Sequence, residues 1–124
     1  MSAPSHRFPG RFMFVPGIFI GMTIGQVALA ESDELTGPQV YDAVCVACHA
    51  APGVGGAPAF GDSDAWAARI DQGMDTLIDH ALHGYSSSTG IMPKKGGRVD
   101  LSDAEVIAAV EYMVEQASPR KLLH

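Results

Sequence analysis

The feature that most constrains this chain is the run Cys45-Val46-Ala47-Cys48-His49. Two cysteines three positions apart on a helical turn face neighbouring places, so each thiol can add to one vinyl group of a haem and form a thioether bond. The histidine directly after the second cysteine can then ligate the iron. We therefore predict one covalently attached haem c, with Cys45 and Cys48 as attachment sites and His49 as an axial ligand.

Three other interpretations of this run are weaker. A zinc site needs four ligands, usually from two separated pairs, and the chain has only two cysteines. A redox-active pair of the thioredoxin type is expected near a βαβ pattern, which the sequence does not contain. A simple disulfide between the two cysteines would leave His49 unexplained.

The first thirty residues resemble a secretory signal peptide. A basic start from His6 to Arg11 precedes Phe12–Ala30, which has no charged residue and ends in the small-residue run Ala28-Leu29-Ala30. We predict a signal peptide over 1–30 and a mature domain over 31–124. The alternative is an uncleaved membrane anchor, although the uncharged stretch lies near the lower limit of about 17–25 residues for spanning a bilayer.

Removal of the leader makes the chain more acidic. Six basic and fourteen acidic residues would remain, which gives a formal net charge of −8. Such a charge argues against nucleic acid, whose binding depends on cationic contacts to phosphate, and suits a soluble protein that we expect to be a monomer. A domain of this size has a limited apolar core and usually needs additional stabilisation from a crosslink or a bound group. We predict that the cofactor provides it.

Strand signals in the mature domain are weak, because alternating β-branched runs are missing, and helix signals are frequent. We predict an all-α fold of about four helices and two long loops around one covalent haem. The helices begin at Thr36, near Asp62 to Asp64, at Met74, and at the capping box Ser102–Glu105; they end at Cys45, Ile70, His83 and before Pro119. The loops, Ala50–Gly61 and Tyr85–Val99, are each next to a candidate haem ligand, and we expect both to cover the haem.

The second axial ligand must come from further along the chain. The candidates are Met74, Met92, Met113, His80, His83 and His124. Met113 lies on the apolar face of the last helix, where packing is its expected role. Met92 is preferred because it lies in a glycine-rich loop with no helix to pack for, and Pro93 restricts the backbone beside it. His83 is the second choice.

Several segments in this order resemble one known family. They are Val40–His49, Gly56–Asp62, Trp66 and Arg69, Met92–Gly97, Leu101–Glu105 and Ala109–Met113. Over about Pro38 to Val114 the chain is similar to class I cytochromes c of the bacterial cytochrome c5 type. It departs from some members in lacking an extra cysteine pair.

The resemblance implies His49 and Met92 as axial ligands. It also implies that the region of Pro58 supplies a carbonyl to the imidazole N–H, and that Trp66 packs near the haem edge and its propionates. The first and last helices are expected to cross, with Tyr41 and Tyr112 near the contact. For Trp66 and the two tyrosines, ordinary core packing remains the alternative.

A haem iron with both axial positions filled passes electrons rather than binding or activating oxygen. We therefore expect an exported, periplasmic one-electron carrier, not an enzyme, that shuttles electrons between redox partner proteins of the membrane or periplasm. The alternatives are a haem subunit tethered to a larger oxidoreductase, and a haem enzyme or gas sensor with a labile distal ligand.

Three basic residues close to Met92 suggest where partners dock. Lys94, Lys95 and Arg98 make up half of the mature basic residues. An isolated positive patch beside a haem edge would orient partners through its field. The alternative is an ordinary solvated loop.

Overall fold

The computed structural model describes residues 10, 12–21, 25 and 33–118. The chain divides into two units, Met1–Glu31 and Ser32–His124. In the first unit, residues 12–21 form neither helix nor strand. The predicted cleavage site at Ala30 and the candidate ligand His124 lie outside the described residues. Within the described part of the chain, no helix has the length and hydropathy that a bilayer crossing requires.

The second unit is helical, with one small β-ribbon. The elements in chain order are α1 (Gly37–Val40), a π-helical turn (Tyr41–Cys45), α2 (Val46–His49), α3 (Ser63–Ile70), α4 (Met74–His83), β1 (Tyr85–Ser86), β2 (Ile91–Met92), a 3₁₀ turn (Lys94–Gly97) and α5 (Asp103–Ala117). The predicted all-α fold of about four helices is confirmed, because α1, the π-helical turn and α2 follow one another without a break.

The helix starts are set by side-chain caps where the sequence predicts them. Thr36 caps α1 in a capping box with Gln39, Asp62 accepts from the backbone of Ala65 at the start of α3, and Ser102 caps α5 in a capping box with Glu105. Each of these oxygens accepts a bond from a backbone N–H that has no partner inside its own helix. Local chemistry therefore fixes where the helices begin.

The first helix is less regular than its sequence indicates. It is α-helical to Val40, widens into the π-helical turn, and returns to α-helix for the haem-attachment run. Val44, in the wide turn, lies so close to Gly96 that a Cβ on this glycine would overlap it. The widening thus accompanies a tertiary contact. The hydrophobic periodicity of a helix carries no information about such a contact. Such turns occur frequently at functional sites.

The second long loop is also more ordered than predicted. Tyr85–Val99 contains an antiparallel ribbon in which Tyr85 pairs with Met92 and Ser86 with Ile91, followed by the 3₁₀ turn. Two-residue strands are too short to give an alternating pattern, which is why the sequence did not reveal them. The first predicted loop, between α2 and α3, is free of helix and strand.

Two apolar clusters form the core. The first is built from Val40, Ala81, Leu101, Val106 and Ala109, and the second from Tyr41, Trp66, Met113, Val114 and Ala117. Helix α5 contributes to both clusters and therefore links the other helices. Its acidic side chains Glu111 and Glu115 are exposed, as its amphipathic pattern predicts.

Helices α1 and α5 approach closely at Gly37. This glycine is buried, and a Cβ at its position would overlap the backbone carbonyl of Ala108 and touch Tyr112. One turn along, the rings of Tyr41 and Tyr112 meet edge to face with centroids 6.1 Å apart. The crossing that the family resemblance implies is present, and it depends on a position without a side chain.

We expect Gly37→Ala to lower the free energy of unfolding by about 1–3 kcal/mol, the usual cost of overpacking, because a backbone oxygen cannot rotate away. Denaturant unfolding of the haem-loaded protein measures this. The control is Ala43→Ser, which adds an atom at an exposed position of the same helical segment and should change the free energy by about 0.5 kcal/mol or less. Equal stability of the two variants would contradict the close approach.

Glu105 ties the start of the unit to the start of α5. One carboxylate oxygen accepts from the backbone of Leu35 at 2.9 Å, and the other accepts from the backbone of Ser102 at 2.8 Å. These bonds, that of Leu35 first, lower the pKa of Glu105 below its ordinary value of 4.5. The charged carboxylate is therefore the form that stabilises the fold.

A carboxylate whose pKa falls on folding stabilises the protein above its unfolded pKa, and this contribution disappears as the pH drops through the folded pKa. We therefore expect the free energy of unfolding to decrease as the pH falls below 4.5, and Glu105→Gln to make this decrease shallower. Unfolding at a series of pH values measures it. Glu111→Gln, on the exposed face of the same helix, is the control and should leave the slope unchanged.

Candidate functional site

The haem-attachment run faces a large internal cavity. The cavity has a volume of about 730 Å³, and its wall includes Cys45, Cys48 and His49. Residues of α3, α4, α5, the β-ribbon and both long loops complete the wall. Ligand and cofactor sites commonly have volumes of roughly 300–1,000 Å³ and mainly apolar walls, and this cavity matches both properties.

His49 is fixed by a backbone carbonyl. Its ring is buried, with 8% of the residue exposed, and Nδ1 lies 2.8 Å from the carbonyl oxygen of Pro58. Because a carbonyl oxygen can only accept, Nδ1 carries the proton and donates it. The other ring nitrogen, Nε2, keeps its lone pair and is the atom available to a metal.

The loop that supplies this carbonyl is itself tied to α2. The backbone N–H of Val54 donates to the carbonyl of Cys48 at 2.8 Å, and that of Phe60 donates to the carbonyl of His49 at 2.7 Å. These two bonds flank the His49–Pro58 contact along the loop. The orientation of the imidazole is therefore determined by the backbone rather than by flexible side chains.

Trp66 supports the same histidine from α3. The indole is buried and lies roughly parallel to the imidazole, with ring centroids 5.9 Å apart. Its Nε1–H donates to the carbonyl of Ala59 at 2.9 Å. This donor is thus used by the protein backbone, and the indole borders the cavity.

The electrostatics of the site favour a neutral imidazole. Burial lowers the pKa of His49, the hydrogen bond to Pro58 opposes this effect, and the positive charge of Arg69 adds to the lowering. A neutral imidazole is the form that ligates a metal. Burial also raises the pKa of the Cys45 thiol.

These residues fit a covalent haem. Both cysteines are free, Cys45 half-buried and Cys48 exposed, and both border the cavity beside the unprotonated nitrogen of His49. Two thiols can form the thioether bonds, and Nε2 can bind iron. No group of three or more acidic, cysteine or histidine side chains that would hold a metal ion directly occurs among residues 33–118 or the other described positions. Fold and site together define a c-type cytochrome.

The structure separates the candidates for the second axial ligand. Met92, Met113 and His80 border the cavity. Met74, at the start of α4, is exposed and is not part of the wall. The preferred residue, Met92, is half-buried and packs against the first core cluster.

The second choice, His83, is wrong in position. Its ring is exposed and lies 2.8 Å from the carboxylate of Asp79, one helical turn earlier on α4, and it does not border the cavity. The histidine of α4 that borders the cavity is His80, which stacks on Tyr85 with ring centroids 4.0 Å apart. His80 and His83 lie three positions apart on α4, and His80 is the one of the two that borders the cavity.

Two features of the wall were missed by the sequence interpretation. The His80–Tyr85 stack depends on the β-ribbon, whose short strands gave no signal. Arg69 was noted only as part of a family pattern; the structure places it in the cavity wall, three residues after Trp66 on α3. That spacing on one helix was the available signal, because residues at i and i+3 share a face.

The predicted docking patch is not an isolated positive surface. Lys95 is nearly buried, with 11% of its side chain exposed, and its ammonium group contacts Asp103 at 2.7 Å and donates to the carbonyl of Leu101 at 2.7 Å. Arg98 binds Asp100 through two hydrogen bonds of 2.8 and 2.7 Å. Two of the three cations of the patch are thus paired with carboxylates, which cancels most of their electric field. The third, Lys94, is exposed.

Comparison with known proteins agrees with this class. The family model described as "Cytochrome C oxidase, cbb3-type, subunit III" matches residues 32–113. Cytochrome c-555 of Chlorobaculum tepidum is 49% identical over 85 residues, which are 68% of this chain and 78% of that protein. Cytochrome c5 of Ectopseudomonas mendocina is 42% identical over 71 residues, which are 56% of this chain and 76% of the relative.

A solved structure shares the fold. It is described as the crystal structure of an electron transfer complex of nitrite reductase with cytochrome c, and its matching chain is 40% identical, with a TM-score of 0.58, over 66% of this chain and 94% of that one. The chain therefore belongs to the family whose sequence model matches residues 32–113, and it is a class I c-type cytochrome. It is a haem c electron-transfer protein, similar to cytochromes c-555 and c5.

We expect Trp66→Phe to lower the free energy of unfolding by about 1–3 kcal/mol, because the carbonyl of Ala59 loses its donor in a buried place. Denaturant unfolding of the haem-loaded protein measures the loss. The control, Tyr112→Phe, also removes one polar group from an aromatic ring, at the half-buried α1–α5 contact, and should change the value by about 0.5 kcal/mol or less. An equal effect of both would contradict a structural role for the indole N–H.

Proposed function

We propose that this chain is an exported one-electron carrier whose haem is bound through Cys45 and Cys48, with His49 and Met92 as axial ligands. When bound, haem c supplies an iron that takes up or releases one electron without making or breaking a bond. The residues around the cavity have three tasks: they hold the group, keep water from its centre and set the energy of the two oxidation states.

The observation that carries the proposal is the shared cavity wall of His49 and Met92. The two residues come from different parts of the fold, one from the end of α2 and the other from strand β2. His49 offers a lone pair fixed by the Pro58 carbonyl, and Met92 offers a thioether from a backbone that is paired with Tyr85. Filling both axial positions leaves no place for oxygen or substrate to bind.

Ligation by Met92 would also raise the reduction potential of the haem. A thioether is neutral and a weaker donor than a second imidazole, so a methionine ligand favours the reduced form and raises the potential. Burial acts in the same direction, because a low-dielectric wall disfavours the form of higher charge. A carrier with such a site suits acceptors of relatively high potential.

The partners are proposed to be other redox proteins. The neighbouring solved structure is a complex of a cytochrome c with nitrite reductase, which supports transient docking onto a redox enzyme as the way this chain exchanges electrons. The family description supports a second candidate, a haem subunit within a larger oxidoreductase. The two differ in the fate of residues 1–30: a free periplasmic carrier loses them as a signal peptide, and a tethered subunit retains them.

Sequencing the N-terminus of the protein purified from an exporting host separates the two candidates. A mature chain that begins at Glu31 and is released with the periplasmic fraction supports the free carrier. A chain that keeps Phe12–Ala30 and sediments with membranes supports the tethered subunit.

We expect Met92→Ala to abolish the weak red-end sulfur-to-iron absorption band of the oxidised protein and to lower the potential by on the order of 0.1 V or more, since axial ligands span about 0.8 V. Visible spectra and a redox titration measure both. The control is Met74→Ala, which removes an exposed methionine outside the cavity wall and should change neither.

The same preparation tests the alternative of an enzyme or gas sensor. Carbon monoxide should not bind rapidly to the ferrous wild-type protein, and it should bind to Met92→Ala, which opens the position. Rapid binding to the wild type, or an unchanged spectrum in Met92→Ala, would show that the ligand assignment is wrong.

A further inference from the structure

The two long loops meet beside the cavity, mainly through backbone atoms. A Cβ at Gly56 would overlap the carbonyl of Thr89, and one at Gly90 would overlap the carbonyl of Gly55. The loop after α2 and the loop of the β-ribbon are therefore in close contact where three of the four residues are glycines and only Thr89 carries a side chain. All four of these residues also border the cavity.

Two large apolar side chains lie beside this contact and point away from the core. Val54 is 59% exposed and Ile91 is 77% exposed, and both border the cavity. We call the surface formed by Val54, Gly55, Gly56, Gly90 and Ile91 the cavity rim. Exposed aliphatic side chains that do not fill the core are candidates for contact with another molecule.

The rim lies in an uncharged part of an otherwise acidic surface. The stretches Ala43–Gly61 and Gly84–Pro93 contain no Asp, Glu, Lys or Arg, whereas residues 33–118 as a whole carry thirteen acidic and four basic side chains. The basic residues Lys95 and Arg98 are paired with Asp103 and Asp100. A partner approaching the rim thus meets an apolar centre on a unit of net negative charge, with Lys94 as the exposed cation nearest to Ile91 along the chain.

We propose that the cavity rim is the docking surface for redox partners, and that it selects proteins with an apolar face surrounded by Lys and Arg. This inference rests on the proposed electron-carrier function and names the partner chemistry. The net negative charge steers a cationic partner, and the glycine-rich loop contact, with few side chains, lets it approach the cavity closely. A second copy of the chain is disfavoured as occupant, because both copies carry the same negative charge.

Three variants with the same change in net charge test where docking occurs. Val54→Lys and Ile91→Lys place a cation in the rim. Val99→Lys places it at an apolar residue that is equally exposed, at 68%, and is not part of the cavity wall. Oxidation of the reduced protein is followed by stopped flow with tris(1,10-phenanthroline)cobalt(III), a cation with an apolar face, and with ferricyanide, a polar anion.

With the cobalt complex, both rim variants should react about tenfold more slowly than the wild type, and Val99→Lys should react within about twofold of it, because like charges in direct contact repel far more than distant ones. The wild-type rate should fall as salt is added, and the ferricyanide rate should rise. Equal effects of all three variants, or a rate with the cobalt complex that rises with salt, would overturn the proposal.

A protein acceptor provides the second readout. A small redox protein with lysines around its centre should show the same order of variants, and an acidic acceptor should react slowly with all of them. Sedimentation must show a wild-type monomer; a dimer that Ile91→Lys dissociates would assign the rim to self-association instead.

Two controls separate this proposal from the proposed function. The ratio of the cobalt-complex rate to the ferricyanide rate is compared for each variant, because a change in potential alters both rates in the same direction, whereas a charge at the docking surface alters them in opposite directions. A wild-type protein without a reversible one-electron potential would overturn the electron-carrier function. A normal potential with no difference between rim and control variants would overturn only the docking surface.

Discussion

The hydrogen bond from His49 to the carbonyl of Pro58 is the constraint on which the rest of the site depends. It uses one ring nitrogen and leaves the lone pair of the other available to a metal, so it decides the tautomer and the orientation of the ring together. The carbonyl is held in turn by backbone bonds that join its loop to α2 on both sides. Trp66 closes this arrangement, since it stacks on the imidazole and binds the neighbouring carbonyl of Ala59.

The fold around this bond serves two demands that conflict. The cofactor needs a low-dielectric surrounding, yet an electron carrier must bring one part of that surrounding close to a partner. The helices meet the first demand through the two core clusters and the close approach at Gly37. The loops suit the second, because Val54, Gly55 and Ile91 border the cavity and are exposed to solvent.

Local signals in the sequence predicted much of this structure. The starts of α1, α3 and α5 follow from Thr36, Asp62 and Ser102, since a cap needs only residues within one turn. The attachment run needs only five consecutive residues. The cofactor and the cytochrome class, which the comparisons with known proteins support, rest on these short-range patterns.

The features that the sequence did not reveal are those set by contacts between distant segments. The β-ribbon is too short for a pattern, and the π-helical turn accompanies packing of Val44 on Gly96. The basic patch looked isolated because Asp103 was interpreted only as part of the helix start at Ser102–Glu105; the fold brings Asp103 to Lys95. His83 is suitable as a ligand by residue type, but its side chain is exposed and contacts Asp79 instead of bordering the cavity.

The meeting of the two loops through glycines has a consequence for how such a protein can change over time. Because Gly55, Gly56 and Gly90 make that contact with backbone atoms, the neighbours Val54 and Ile91 are not needed to keep the loops together. If the rim is the docking surface that we propose, substitutions at these two positions can alter the choice of partner without opening the contact between the loops. Partner specificity and loop closure would then rest on separate atoms, so natural variation could adjust the first and leave the second unchanged.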